Sequence, residues 1–85
     1  MIEWNVMSLT LPDIELDARG LDCPLPLLKL KQQLNRLDIG QIIAVQTSDP
    51  GSLRDFEAFT GMVGHIIHEQ TEQDGNFLFI IEKRA

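Results

Sequence analysis

The chain holds a single cysteine, Cys23, among its 85 residues. One thiol excludes an internal disulfide, a Cys-x-x-Cys redox pair and a cysteine-based zinc site. Two roles remain for it: a small buried filler, or a thiolate whose reactivity is tuned by its position. Positive charge is also scarce, with seven basic residues against thirteen acidic ones and a net charge of −6. A surface of that sign repels a phosphate backbone, which argues against direct nucleic-acid binding. Long apolar runs are missing as well. Stretches such as Phe77-Leu78-Phe79-Ile80-Ile81 are far too short to cross a bilayer, and Met1 to Leu11 carries Glu3 where a leader would carry basic residues. A cytoplasmic protein is expected, and a lone thiol stays reduced in that compartment.

What is present suffices for one domain with one core, since 44% of the residues are hydrophobic. Ile14-Glu15-Leu16-Asp17 alternates apolar with acidic residues, as a half-buried strand does. Leu27, Leu30, Leu34 and Leu37 then recur at helical spacing, with Lys29, Gln32, Gln33 and Arg36 largely on the other side. Pro24 suits the first helical position, which makes Cys23 the N-cap, and Gly40 suits the end of the helix. Gln41 to Thr47 is β-rich without clean alternation, as expected of an interior strand. Asp49-Pro50 repeats the cap-plus-proline pattern and opens a second helix through Ser52, Phe56 and Phe59, ending between Gly61 and Gly64. His65 to Glu72 reads as a polar strand and Phe77 to Lys83 as an apolar one. Asp74-Gly75 between them is a hairpin signal that also admits a longer loop.

The order is therefore strand, helix, strand, helix, strand, strand. Right-handed crossovers place both helices on one face of a single sheet. The polar strands belong at the edges and the apolar ones at the centre, which gives a sheet order of 1-2-4-3 with the last strand antiparallel to its neighbours. The central strands look apolar on both sides, yet the helices cover only one. Residues 1–13 form an N-terminal extension to a domain of residues 14–85, and Ile2, Trp4 and Val6 alternate with Glu3 and Asn5 as in a strand that folds over the open face. The competing reading makes that face a docking or dimer surface.

At the junction Gly20-Leu21-Asp22-Cys23-Pro24-Leu25-Pro26, a strand breaks directly into a helix. The positive end of the helix dipole favours a thiolate there. Only modest activation is expected, because Pro24 and Pro26 remove N–H donors and Asp22 adds a negative charge, leaving the Leu25 N–H as the main donor for an anionic sulfur. The two ring-locked residues stiffen the platform from which the sulfur protrudes. His65 and His68, three apart on a strand, point to opposite faces and form no ready metal pair; they read as surface histidines. Arg19, Lys29, Lys31 and Arg36 flank Cys23, with Asp22 the only acid from Ala18 to Leu37. They read either as a basic rim beside the thiol or as the ordinary solvated face of a helix. Asp49, Arg54 and Asp55 read as cap and helix-start charges, although loops on one sheet edge can bring Asp49 and Arg54 beside Cys23.

Leu16-Asp17-Ala18-Arg19-Gly20-Leu21-Asp22-Cys23-Pro24-Leu25-Pro26 resembles the signature of the TusA/SirA family of sulfur-carrier proteins, with its Cys-Pro-x-Pro centre. The resemblance continues through Gly40, Asp49-Pro50, Arg54-Asp55, Phe59, Gly64-His65, Gly75 and Ile81-x-Lys83, and so covers about residues 14 to 83. It implies an α+β two-layer sandwich of βαβαββ order, similar to the C-terminal domain of bacterial translation initiation factor 3. It implies sulfur transfer as the activity. Cys23 would accept a sulfane sulfur as a persulfide from a donor protein, a cysteine desulfurase or a rhodanese. It would relay that sulfur to an acceptor, a DsrE-like protein or a thiolase, for tRNA thiolation, cofactor synthesis or sulfur oxidation. Neither cofactor nor metal is implied, and a carrier that presents one sulfur to successive proteins is expected to be a monomer. The resemblance puts Asp49, Arg54 and Phe59 on the rim that partners contact; Arg19, Asp22, Pro24, Pro26 and Lys29 complete the candidate set around Cys23. Many members carry another side chain where this one has Asp22, which leaves the donor and acceptor unnamed. The second functional class is a non-catalytic regulatory or interaction module, or a thiol redox switch, on the same fold.

Overall fold

In the computed structural model, which describes residues 11–85, the predicted alternation becomes β1 (Ile14–Ala18) and the leucine stripe becomes α1 (Leu25–Leu34). They are followed by β2 (Ile42–Thr47), α2 (Gly51–Val63), β3 (Ile66–Gln73) and β4 (Asn76–Glu82). The sheet order is β1-β2-β4-β3. β1 runs parallel to β2, with Ala18 opposite Thr47, so the loops that follow these strands leave the same edge of the sheet side by side. β4 is antiparallel to both of its neighbours, β2 and β3. A two-residue turn joins β3 to β4, with Gln73 paired to Asn76 and positive φ angles of 53° at Asp74 and 80° at Gly75. Two successive positive φ values match the twist of an antiparallel pair, which explains the Asp-Gly dipeptide there.

The helix ends differ from the sequence pattern at three points. Cys23 is not the cap of α1. The Leu25 N–H is bound to the Asp22 carbonyl at 2.8 Å, which closes a turn around Cys23 and Pro24 before the first helical bond, from the Leu28 N–H to the Pro24 carbonyl. Pro24 therefore stands at the cap, and the Cys23–Pro24 peptide is cis. The C-terminal end of α1 comes early, at Leu34, well short of Gly40. There the Arg36 and Leu37 N–H groups shift to three-residue bonds with Gln33 and Leu34. Lys83, just beyond β4, donates from Nζ to the Leu34 and Leu37 carbonyls at 2.7 Å each, so a distant lysine caps the helix. α2 begins at Gly51 after Pro50, one residue later than the sequence pattern suggests, and ends on a left-handed Gly64.

Strand alternation divides the apolar side chains between two layers. On the helix side Leu30, Leu34, Ile43, Val45, Phe56, Phe77, Phe79 and Ile81 form the main core, with the rings of Phe56 and Phe79 4.5 Å apart. On the other side Ile42, Ala44, Leu78 and Ile80 form a second buried group, so the central strands are apolar on both faces. The expected strand from Ile2 to Val6 lies outside the described residues. Among the described residues, no helix is long and apolar enough to cross a membrane.

His65 departs from the expected surface position. It is only 9% exposed, its Nδ1 accepts the Arg84 N–H at 3.1 Å, and its ring lies 5.7 Å from that of Phe59. Burial, and then the charge of Lys83, push its pKa below the ordinary histidine value. His68 pairs with Glu82 at 2.7 Å, beside a register shift between Ile67 and Glu69 that interrupts simple alternation.

Because Phe79 is fully buried between sheet and helices, Phe79→Ala should cost about 3–5 kcal/mol. Urea denaturation would measure it, and a loss below about 1 kcal/mol would show that the sheet–helix core is not what holds the domain together.

Candidate functional site

The two loops that leave the sheet side by side are tied together by polar contacts. Gly20 donates its N–H to Ser48 Oγ at 2.8 Å. Cys23 donates its N–H to Asp49 Oδ2 in a short bond, and Gly51 donates its N–H to Asp49 Oδ1 at 3.0 Å. Ser52 Oγ bonds the Asp49 carbonyl at 2.7 Å and lies 2.6 Å from Thr47 Oγ1, which anchors the second loop to the end of β2. Gly51 permits the close approach: a Cβ there would stand 3.3 Å from the Cys23 Cβ. The first turn of α2 thus abuts the cysteine directly, without an intervening side chain. Cys23 itself is exposed and free.

Its sulfur has a partner that the sequence did not suggest. The thiol donates to Asp55 Oδ2 at 2.7 Å. Asp55 follows Gly51 by four residues on α2, so the two share a helix face, and the helix that Gly51 lets approach Cys23 also carries the carboxylate that meets the sulfur. That i,i+4 pairing of a glycine and an acid is the signal by which Asp55 could have been found. The hydrogen bond to Asp55 pushes the Cys23 thiol above its ordinary pKa, helped by partial desolvation and by the charges of Asp55 and Asp49, while Arg54 opposes. The expected modest activation is therefore overturned. The Leu25 N–H is occupied by the Asp22 carbonyl, the cysteine sits one residue outside the helix cap, and the Asp55 and Asp49 carboxylates act on the sulfur more strongly than Arg54. Asp49 moves the other way: the backbone N–H groups of Gly51 and Cys23 hold its carboxyl below the usual range.

The remaining candidates are dispersed. Arg54 lies close enough for its charge to act on the thiol. Asp22, Pro24 and Lys29 are exposed, whereas Pro26 is buried in the first turn of α1. Arg19 folds back on Asp17 in a forked pair, 2.9 Å from each carboxylate oxygen, and holds that carboxyl down to about 2. Lys31 lies over the Phe59 ring, 5.2 Å from its centroid. A basic rim at the sulfur is thus not formed by Arg19 or Lys31, whose charges have other partners. Phe59 stands eight residues beyond Gly51 on α2, about 12 Å along the helix axis. There it lines a groove of about 350 Å³ with Lys31, Leu34, Val63, His65 and Lys83, apart from the thiol. Among the described residues, no group of three or more His, Cys, Asp or Glu is placed to hold a metal ion.

Residues 14–83 match the family described as Sulfurtransferase TusA. The chain belongs to that family. It is 48% identical over 71 residues to the sulfur carrier protein TusA of Allochromatium vinosum, a match that covers 84% of this chain and 93% of the relative. The sulfur carrier protein TusA of Pseudomonas putida strain GB-1 is 40% identical over 74 residues, covering 87% and 92%. In three dimensions the chain is similar to the crystal structure of a SirA-like protein from Desulfitobacterium hafniense, with a TM-score of 0.74 at 26% identity, over 85% of this chain and 99% of that one. This TusA-family chain thus shares its fold with a solved relative and its sequence with sulfur carrier proteins.

Within this TusA-family domain Asp49 is the clamp between the two loops, a role distinct from the helix-start charge that its position suggested. Asp49→Ala removes the acceptor of both the Cys23 and Gly51 N–H groups. Hydrogen exchange at the Cys23 amide should become fast in that variant while the β2 and β4 amides stay protected. Unchanged exchange at Cys23 would contradict the clamp.

Proposed function

We propose that the protein carries sulfur as a persulfide on Cys23 between a donor protein and an acceptor protein. The observation that carries this reading is the free, exposed thiol held on a braced loop junction, in a domain of the family to which sulfur carrier proteins belong. Such a sulfur is presented in a defined position and needs little further ordering when a partner docks.

The chemistry follows thiol–disulfide exchange. The Cys23 sulfur attacks the terminal sulfur of a donor persulfide, the donor's S–S bond breaks, and the electron pair stays on the donor sulfur. Cys23 then bears the extra sulfur as its outer atom; in the second step an acceptor thiolate attacks that atom, the bond to Cys23 Sγ breaks, and Cys23 leaves with the electron pair. The chain has no second cysteine, so the persulfide is not discharged as an internal disulfide. The donor is a cysteine desulfurase or a rhodanese and the acceptor a DsrE-like protein or a thiolase, met in the cytoplasm by a monomeric carrier. A redox sensor is less well supported, because sensor cysteines are low-pKa thiolates whereas this thiol is pushed upward.

The test is intact mass after incubation with a cysteine desulfurase and cysteine. The wild-type chain should gain sulfur and Cys23→Ser should not. An unmodified wild type, or equal modification of the variant, would sink the relay.

A further inference from the structure

The charged groups that meet at Cys23 are mostly of one sign. Asp55 holds the Sγ–H, Asp49 holds the backbone N–H, and Asp22 precedes the residue in the chain. Against these stands Arg54. Of the other cations, Arg19 is held by Asp17, Lys31 lies over the Phe59 ring and Lys83 is held by the carbonyls that end α1, while Lys29 and Arg36 are exposed on and just after α1. Deprotonating Cys23 in this setting would place a thiolate 2.7 Å from a carboxylate. Sulfur exchange, however, runs through the thiolate. The unloaded protein thus keeps its thiol in the less nucleophilic form, and that state is relieved when sulfur is taken up.

We propose that Asp55 is a latch on Cys23, opened by a basic side chain of the protein that donates sulfur to it. The inference rests on the sulfur-carrier reading and adds to it the chemistry of the partner's surface. Charge complementarity selects the partner: an acidic mouth, on a chain of net charge −6, fits a surface that brings lysine or arginine up to its own sulfur. Leu25 and Leu28, 45% and 46% exposed on the first turns of α1, supply an apolar ridge beside that mouth.

When the partner's cation pairs with the Asp55 carboxylate, the sulfur loses its hydrogen-bond acceptor and the repulsion on its anion falls. The Cys23 thiol then gives up its proton as the bond from Sγ to the donor's terminal sulfur forms. The donor's S–S bond breaks, and the departing donor sulfur keeps the electron pair and takes a proton. Asp55 ends as the carboxylate it began. The transferred sulfur keeps its oxidation state, so no oxidant enters.

The latch can be tested without any sulfur donor. Alkylation of Cys23 by neutral iodoacetamide, followed against pH, reads the thiolate fraction. Paired methanethiosulfonates, one bearing a trimethylammonium and one a sulfonate, read the sign of charge at the sulfur. Asp55→Asn, with Asp55→Ser as a second variant in case the first does not fold, should shift the alkylation profile to lower pH and speed it several-fold at neutral pH. The wild type should react faster with the cationic reagent than with the anionic one, and the difference should narrow in both variants. Glu57→Gln removes the same unit of charge from an exposed position on α2 and should leave profile and ratio nearly unchanged. An unshifted profile in the Asp55 variants, an equal shift in Glu57→Gln, or a faster anionic reagent on the wild type would each overturn the latch. Failure of the sulfur relay would show only as a missing mass adduct and would leave these rates intact.

Discussion

The Asp49 carboxylate joins the two strand-to-helix loops, and the geometry of the site depends on that junction. One oxygen takes the Cys23 N–H from the first loop and the other takes the Gly51 N–H at the start of α2. The parallel register of β1 and β2 brings the loops to one edge of the sheet, but strand pairing alone does not set the height of the cysteine above that edge. The clamp does, and Gly51 lets the helix come close enough for the clamp to close. Once Cys23 is held there, its sulfur falls within reach of Asp55, one turn further along α2. Backbone bracing and sulfur electrostatics are therefore two consequences of one contact.

Those electrostatics separate exposure from activation. A cysteine at a strand-to-helix junction invites the reading of a dipole-activated thiolate. Here the turn from Asp22 to Leu25 takes away the N–H donor that would have served the sulfur, and the Asp55 and Asp49 carboxylates outweigh Arg54 beside it. The result is a sulfur that solvent and partners can reach but that favours its protonated state. For a carrier that combination restrains side reactions between encounters, since oxidation and alkylation follow the thiolate fraction. Reactivity is then a property of the docked pair more than of the free chain.

Periodicity in the sequence carried the architecture. The acidic-apolar alternation of Ile14 to Asp17 and the apolar run from Phe77 to Ile81 identify an edge strand and a central strand, and right-handed crossovers do the rest. What local pattern does not contain is the set of contacts between residues far apart in the chain. α1 ends at Leu34 because Lys83, 49 residues away from it, reaches the carbonyls there. Asp55 lies 32 residues from Cys23, and nothing short of the fold places it on the sulfur. His65 is buried because Phe59 and the Arg84 backbone close over it, which strand alternation does not encode. Of the four basic residues that read as a rim or as a solvated helix face, Arg19 and Lys31 have partners, Asp17 and the Phe59 ring, that sequence proximity to Cys23 hides. Cys23 itself was legible from its solitude and its two prolines; its protonation was not.

The direct measurement of that protonation is a pH titration of the Cys23 Cβ by carbon-13 NMR on protein labelled at cysteine. With Asp55 on the sulfur and Asp49 beneath it, the inflection should lie above the ordinary thiol value of about 8.5. An inflection below that value would mean that the free protein already holds an activated thiolate, and would contradict the reading of Cys23 as an exposed but restrained sulfur.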